Sequence, residues 1–218
     1  MDRSRHASCL SSCATDRLRV PTGWGPGPKP GKITLWEFFC WRFPKGALRW
    51  SYVLGLDLLV PVSVTPRDLG VAPGATLLAW EHDGDNGWPA SVVVVTAGAP
   101  LWLPATGEPL DATTISASFH VLAPVLSNGW AFLGEPGKIV AASRRRVSRV
   151  EAAGAGMVVG LRGCAGEEIA VAVYRPPPPG GGASGVGNVE MVRCEFGPGP
   201  GDRTVTVVCA DATTCICS

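Results

Sequence analysis

Glycine and proline interrupt this chain so often that no long helix can run through it. The sequence carries 28 glycines and 20 prolines in 218 residues, and each one inside a helix costs stability or removes a hydrogen bond. What survives between the interruptions is a set of short apolar runs. From Ser51 onward these read SYVLGLDLLVPVSV, TLLAWEH, ASVVVVTA, PLWLP, TTISASFHVLAP, WAFLG, KIVAASRRRVSRV, GMVVGLRG, EIAVAVY, VEMVRCEF and RTVTVVCA. They are rich in valine, leucine, threonine and aromatics, and nearly all are bounded by Gly, Pro, Asn or Asp. That is the signature of short antiparallel strands joined by turns. TVTVV and SFHVL alternate with period two, which predicts one buried and one wet face. A spacing of about ten residues per strand argues against βαβ units.

The expected fold class is therefore all-β, an antiparallel β-sandwich over residues 51–210 behind an irregular leader. Residues 1–50 form that leader, with the proline-glycine linker GWGPGPKPGK from Gly23 to Lys32. It ends in ITLWEFFCWRFPKGALRW, an aromatic cluster that could stack on sugars but more often belongs to buried packing. Within the sandwich, RPPPPGGGASGVGN predicts a mobile Pro/Gly loop over 176–187. Residues 211–218 read as a frayed tail.

The net charge of +1 gives no reason to expect nucleic acid or a membrane surface as partner. No run approaches the roughly 18 apolar residues of a membrane span. The start of the chain has no central apolar segment, so a secretory signal is not expected. A cytoplasmic location follows, with a plastid as the alternative because that start is arginine- and serine-rich. Without a signal, the eight cysteines are expected mostly as reduced thiols. Cys164, Cys194 and Cys209 then read as small core residues. Cys9 with Cys13, or Cys209 with Cys215 and Cys217, lack the paired spacing of a zinc site.

Motif by motif, chemistry is hard to place. GEPGK (Gly134 to Lys138) invites a phosphate-loop reading, but Phe132 stands where the first glycine belongs and Ile139 where the hydroxyl belongs. EHDGDNGW (Glu81 to Trp88) puts Gly87 where a calcium loop needs a ligand, so Asp83 and Asp85 read as a polar turn. Of His6, His82 and His120, none stands near a nucleophile elbow, and His120 reads as an outward residue in mid-strand. The basic run Arg144 to Arg149 reads as a solvated strand face. No catalytic, cofactor-binding or metal-binding residue is assigned. Ser127-Asn128-Gly129 predicts a type I′ hairpin turn. Glu135-Pro136-Gly137 predicts a type II turn, with Lys138 opening the next strand.

The order of segments nevertheless resembles a known one. DGDNGWPASVVVVTAGAPLWLP holds an acidic segment, a valine strand and Leu103-Pro104, and SFHVLAPVL runs into Ala123, Pro124 and Val125. WAFLG keeps Ala131 and Gly134, VVGLRGCAGEEIAVAVYRP keeps Gly163 and Cys164, and the closing hairpin keeps Glu195 and Phe196. In this pattern the chain is similar to the C-terminal β domain of the raffinose synthase and alkaline α-galactosidase group, within glycoside hydrolase family 36. It departs at Pro136 to Val140, where the family continues differently, and in the insert after Arg175.

The resemblance implies carbohydrate metabolism and transfer or hydrolysis of α-galactosyl groups. It also implies that the catalytic aspartates lie in a (β/α)₈ barrel, which the ~60 residues before Val64 are too few to build. The expectation is a C-terminal β-sandwich portion without its barrel, inactive alone. Whether such a chain counts as an enzyme is left open. The alternative is a stand-alone carbohydrate-binding or scaffolding sandwich. The partner is an oligosaccharide or a catalytic barrel, and no cofactor is expected.

Overall fold

The computed structural model describes residues 48–56, 58, 60–82, 91–105, 117–178, 187–210 and 215–218, together with the strand backbone at 18–19, 32–38, 42–43 and 46–47. Among these, every regular element is a strand. The first half of the chain contributes β1 (Leu18–Arg19), β2 (Lys32–Phe38), β3 (Arg42–Phe43), β4 (Gly46–Ala47), β5 (Trp50–Leu56), β6 (Val62–Val64), β7 (Leu77–Glu81), β8 (Val93–Val95) and β9 (Leu101–Leu103). The second half contributes β10 (Ala117–Pro124), β11 (Ala131–Gly134), β12 (Val147–Ala153), β13 (Gly156–Cys164), β14 (Glu168–Arg175), β15 (Asn188–Glu195), β16 (Asp202–Cys209) and β17 (Ile216–Cys217). All pairings are antiparallel, as the sequence predicts.

A six-stranded sheet in the order β1-β2-β5-β10-β7-β8 forms the middle layer. On one face it presents Trp50, Tyr52, Leu78, Trp80, Val121 and Ala123 to a large core. That core is shared with a three-stranded sheet (β11-β14-β15) and a four-stranded sheet (β12-β13-β16-β17). On its other face Val53, Leu77, Ala79, Val95 and Leu122 meet Leu58, Leu69 and the β6-β9 ribbon. Burying each of these large side chains contributes on the order of 2 kcal/mol. SFHVL therefore lies in a strand covered on both sides. The alternation that predicts a wet face holds instead in β16, where Val205, Val207 and Cys209 are buried and Thr204 is exposed.

Two buried polar pins join the layers. Trp50 Nε1 donates to Phe132 O at 2.9 Å, with the two rings edge to face at 6.2 Å. Ala142 N donates to the Tyr52 hydroxyl at 3.1 Å.

Several local expectations change. Lys32–Phe38, expected to be irregular, pairs along the whole length of β5, because the aromatic-rich run has strand propensity and a partner of matching length. KIVAASRRRV is not a strand at its start: Lys138 to Arg146 are turns and bends, and β12 begins only at Val147. Between β10 and β11, which go to different sheets, Gly129 N donates to Leu126 O, so the turn centres on Ser127 and Asn128, with Gly129 at φ +86° after it. The backbone follows the pattern of a three-residue loop, one residue out of step with the expected Asn-Gly turn, and the expected hairpin is absent because the two strands do not pair. Pro136 and Gly137 do occupy the centre of a turn, closed by Lys138 N to Glu135 O at 3.1 Å. Gly137 does not take the positive φ a type II turn requires, and it is Gly134 that sits at +100°.

The cysteines also depart from expectation. Cys194 is bonded to Cys217 and Cys209 to Cys215, and Cys164 is disulfide-bonded as well. The tail accordingly does not fray: β17 pairs with β16, which sets Cys217 opposite Val207 and within reach of Cys194 on β15. The predicted loop over 176–187 falls mostly outside the described residues, as does EHDGDNGW beyond His82.

Gly134 gives a direct test. A Cβ placed there would stand 2.3 Å from Ala141 O, on a backbone at φ +100°. Replacing it by alanine combines a steric clash with left-handed strain. Urea denaturation of Gly134→Ala is expected to show a loss of about 3 kcal/mol. Gly137→Ala, where nothing lies within 4 Å, should stay within about 0.5 kcal/mol of the parent. Equal losses for the two variants would contradict this account.

Candidate functional site

The densest polar cluster among the described residues gathers at the end of the large core, around Arg146. The turn that ends at Lys138 brings Glu135 inward, where it is 5% exposed. Arg146 Nε donates to Glu135 Oε1 at 2.9 Å, and Lys138 Nζ lies 2.8 Å from Glu135 Oε2. The same guanidinium donates from Nη1 to Glu167 Oε2 at 3.0 Å and from Nη2 to Glu167 Oε1, a bidentate pair. Nη1 also reaches Arg162 O at 2.7 Å. Glu167 in turn accepts from the Cys164 backbone N–H at 3.0 Å. The guanidinium carbon stands 5.7 Å from the Phe196 ring centroid, a cation–π distance. Phe196 itself lies against Gly163, where a Cβ would come within 2.4 Å of its ring.

Electrostatics follow from this geometry. Hydrogen bonding from Arg146 holds the Glu167 carboxyl below the usual carboxylate range, against the opposing effect of partial burial. Burial disfavours the charged Arg146, yet its hydrogen bond to Glu167 and the neighbouring carboxylates raise its pKa overall. Of the run expected as a solvated strand face, Val147 is buried and the Arg146 side chain is only 12% exposed; two carboxylates and an aromatic ring compensate the desolvation of that guanidinium. Arg144, Arg145 and Arg149 are exposed. With every oxygen engaged by a cation or an N–H, neither glutamate is poised as a general base.

A second polar group lies on the far face of the central sheet. Register places Ser118 and His120 of β10 beside Gly55 and Val53 of β5, with Ser51 two pairs further along, opposite Leu122. All three side chains are buried, and His120 is only 7% exposed, so it is not the outward residue that its mid-strand position predicts. Strand alternation does send it away from the large core, but the β6–β9 layer covers that side. Ser51 Oγ, Ser118 Oγ and His120 Nδ1 make no hydrogen bond. Neither hydroxyl engages the imidazole, so nothing activates a serine as nucleophile. Burial lowers the His120 pKa, and the Glu81 charge across the sheet opposes that shift. His82 closes β7, donating its backbone N–H to Phe119 O at 2.7 Å, with its ring 5.7 Å from the Phe119 ring.

Two surface features complete the inventory. An open groove of 570 Å³ is lined by Glu168, Ile169, Ala170, Arg193, Cys194 and Glu195 on β14 and β15. Trp102 on β9 is 63% exposed, paired with Ser63 on β6. Among the described residues, no three His, Cys, Asp or Glu side chains form a metal-binding group. Cys209, Cys215 and Cys217 are committed to disulfides. No described helix is long and apolar enough to cross a membrane. Sequence reasoning missed the Arg146 cluster because its members lie far apart in sequence. The one available signal was a glutamate on each of two Gly-bounded turns.

Two measurements probe these groups. Arg146→Ala strands Glu135 in the core with Lys138 alone, and equilibrium unfolding should report a loss on the order of 3 kcal/mol. A change below 0.5 kcal/mol would show that the pairs contribute only as exposed ones do. For His120 the folded pKa is depressed, so the fold favours the neutral ring. Its stabilising contribution is complete above the ordinary imidazole range and is lost as pH falls from there toward the lower folded value. Unfolding curves between pH 8 and pH 5 should show this decline in the parent and a flatter profile in His120→Phe. Identical profiles would refute the assignment.

Compared with known proteins, the chain matches no family model, no curated protein and no solved structure.

Proposed function

We propose that this chain is the non-catalytic C-terminal β-sandwich portion of a raffinose-synthase-like galactosyltransferase or α-galactosidase, a module that serves a catalytic barrel domain. The observation that supports the reading is a convergence. Gly134, Gly163, Cys164 and Phe196, which carry the resemblance from three separate segments, meet around the Arg146 cluster. Gly134 admits the turn that delivers Glu135, Gly163 seats Phe196, and Cys164 N–H steadies Glu167. Residues kept for a shared architecture behave in this way, and their role here is packing and charge pairing, not chemistry. The glycosidic step would need two opposed carboxylates flanking a bond, and the paired Glu135 and Glu167 do not supply them.

Trp102 favours a second reading, a stand-alone carbohydrate-binding sandwich. An indole largely open to solvent beside a serine hydroxyl offers the flat apolar surface and polar edge that sugar rings use.

One experiment separates the two. Raffinose, galactinol and starch are titrated while tryptophan fluorescence is followed. Complex formation with a separately produced (β/α)₈ barrel of a raffinose-synthase-like enzyme is followed by gel filtration. A module binds the barrel and gives flat sugar titrations. A carbohydrate binder gives a saturable sugar response that Trp102→Ala reduces at least tenfold. Absence of both responses would sink both readings.

A further inference from the structure

The two disulfides at the β15–β17 end converge on one short segment, Cys215 to Ser218. Cys215 and, in part, Cys217 pack on the large core, and the other described contacts of the segment are few. β17 pairs with β16 through Val207–Cys217 and Val208–Ile216, and Thr206 and Ser218 exchange backbone hydrogen bonds at 2.7 and 3.0 Å. Cys215 N donates to Glu190 Oε1 at 2.7 Å. Ile216 points outward at 62% exposure and gives no apolar anchor. A few backbone hydrogen bonds and the burial of two small sulfur side chains do not offset the entropy lost in ordering such a strand, so its docking depends on the covalent bonds. Cys194–Cys217 also ties the three-stranded sheet to the four-stranded one, since β15 and β17 belong to different sheets.

The four sulfurs are not equally reachable. Cys194, Cys209 and Cys215 are buried, while Cys217 is only partly so. We propose that Cys215–Ser218 is a thiol-reversible strap that opens in a fixed order, Cys194–Cys217 before Cys209–Cys215, under a dithiol reductant. The reductant's thiolate attacks Cys217 Sγ, the S–S bond breaks, and its electron pair leaves on Cys194 Sγ, which takes a proton. The reductant's second thiol loses its proton and attacks the mixed disulfide. The reductant becomes a cyclic disulfide, and Cys217 is released as a thiolate that is then protonated. Two electrons and two protons pass to the protein. The freed segment then exposes the Cys209–Cys215 bond to the same exchange. Opening uncovers the outer edge of β16 from Thr206 to Val208 and unlinks the two sheets. Glu190 keeps its pairing with Arg175, which stands 5.6 Å from the Trp130 ring, so the sheets themselves persist.

The full chain, purified without reductant, is exposed to dithiothreitol for increasing times. It is alkylated and mapped by mass spectrometry, with amide hydrogen exchange measured in parallel. Cys194 and Cys217 are expected to label first, and Cys209 and Cys215 later. Exchange at residues 216–218 and at Thr206 and Val208 should accelerate at least tenfold, while β12–β13 amides stay unchanged. Cys217→Ser should show the same local acceleration without reductant, with an unaltered far-ultraviolet circular dichroism spectrum. Labelling of Cys194 or Cys217 before reduction, the reverse order, or unchanged exchange at 216–218 would each overturn the proposal. Uniform acceleration through β12–β16 would overturn it too, since the bonds would then staple the core instead of gating a strap.

Discussion

The layers of this protein are held in register by two hydrogen bonds that leave β5 from adjacent inward residues on one face. Trp50 and Tyr52 bring large apolar bodies into the core, and each carries one polar atom that must find a partner there. Each finds backbone on the opposing layer, Phe132 O for the indole and Ala142 N for the hydroxyl. An unsatisfied donor in such a core costs about 1–3 kcal/mol, so any sliding of one sheet over the other carries two such penalties. Hydrophobic burial alone would tolerate sliding. The pins make one arrangement preferable to its neighbours.

The Arg146 cluster works in the same way at the end of the large core. A guanidinium pulled from water is an expense that only good geometry offsets, and here two carboxylates, a carbonyl and a phenyl ring meet it. The arrangement depends on backbone features with no charge at all. Gly134 must turn left-handed to admit Glu135, and Gly163 must lack a side chain to seat Phe196. Removal of any one component leaves the others buried and mismatched.

The fold class was legible because strand-forming runs and turn residues are local signals. Valine-rich runs such as those in β13, β14 and β16 declare themselves within eight or nine residues. What the sequence could not declare was which faces would be covered. Alternation makes His120 an outward residue because it reports only that two faces differ, not that a β6–β9 ribbon lies over the second. Arg146 sits in a basic run, and composition there predicts solvent; its partners arrive from turns 11 and 21 residues away. Apolar surroundings make Cys194 and Cys209 read as small core residues, whereas their pairing follows from strand register, which no local pattern encodes. The Pro136-Gly137 turn forms where its residues predict but not in the predicted conformation, because Gly134 supplies the left-handed bend three residues before Gly137.

The pins of β5 also set a timetable. Trp50 and Tyr52 lie 82 and 90 residues from the partners that satisfy them, and β5 pairs with β10 across a shorter but still long stretch of chain. A chain emerging from the ribosome at about 5–20 residues per second therefore exposes an aromatic, half-paired sheet for several seconds before its covering strands exist. Loops of this length close slowly and at an entropic cost that nothing local repays. The interval in which β5 waits for Phe132 is thus when this protein is most exposed to mispairing, and binding by a chaperone at that stage would act on the same aromatic face that later becomes the core.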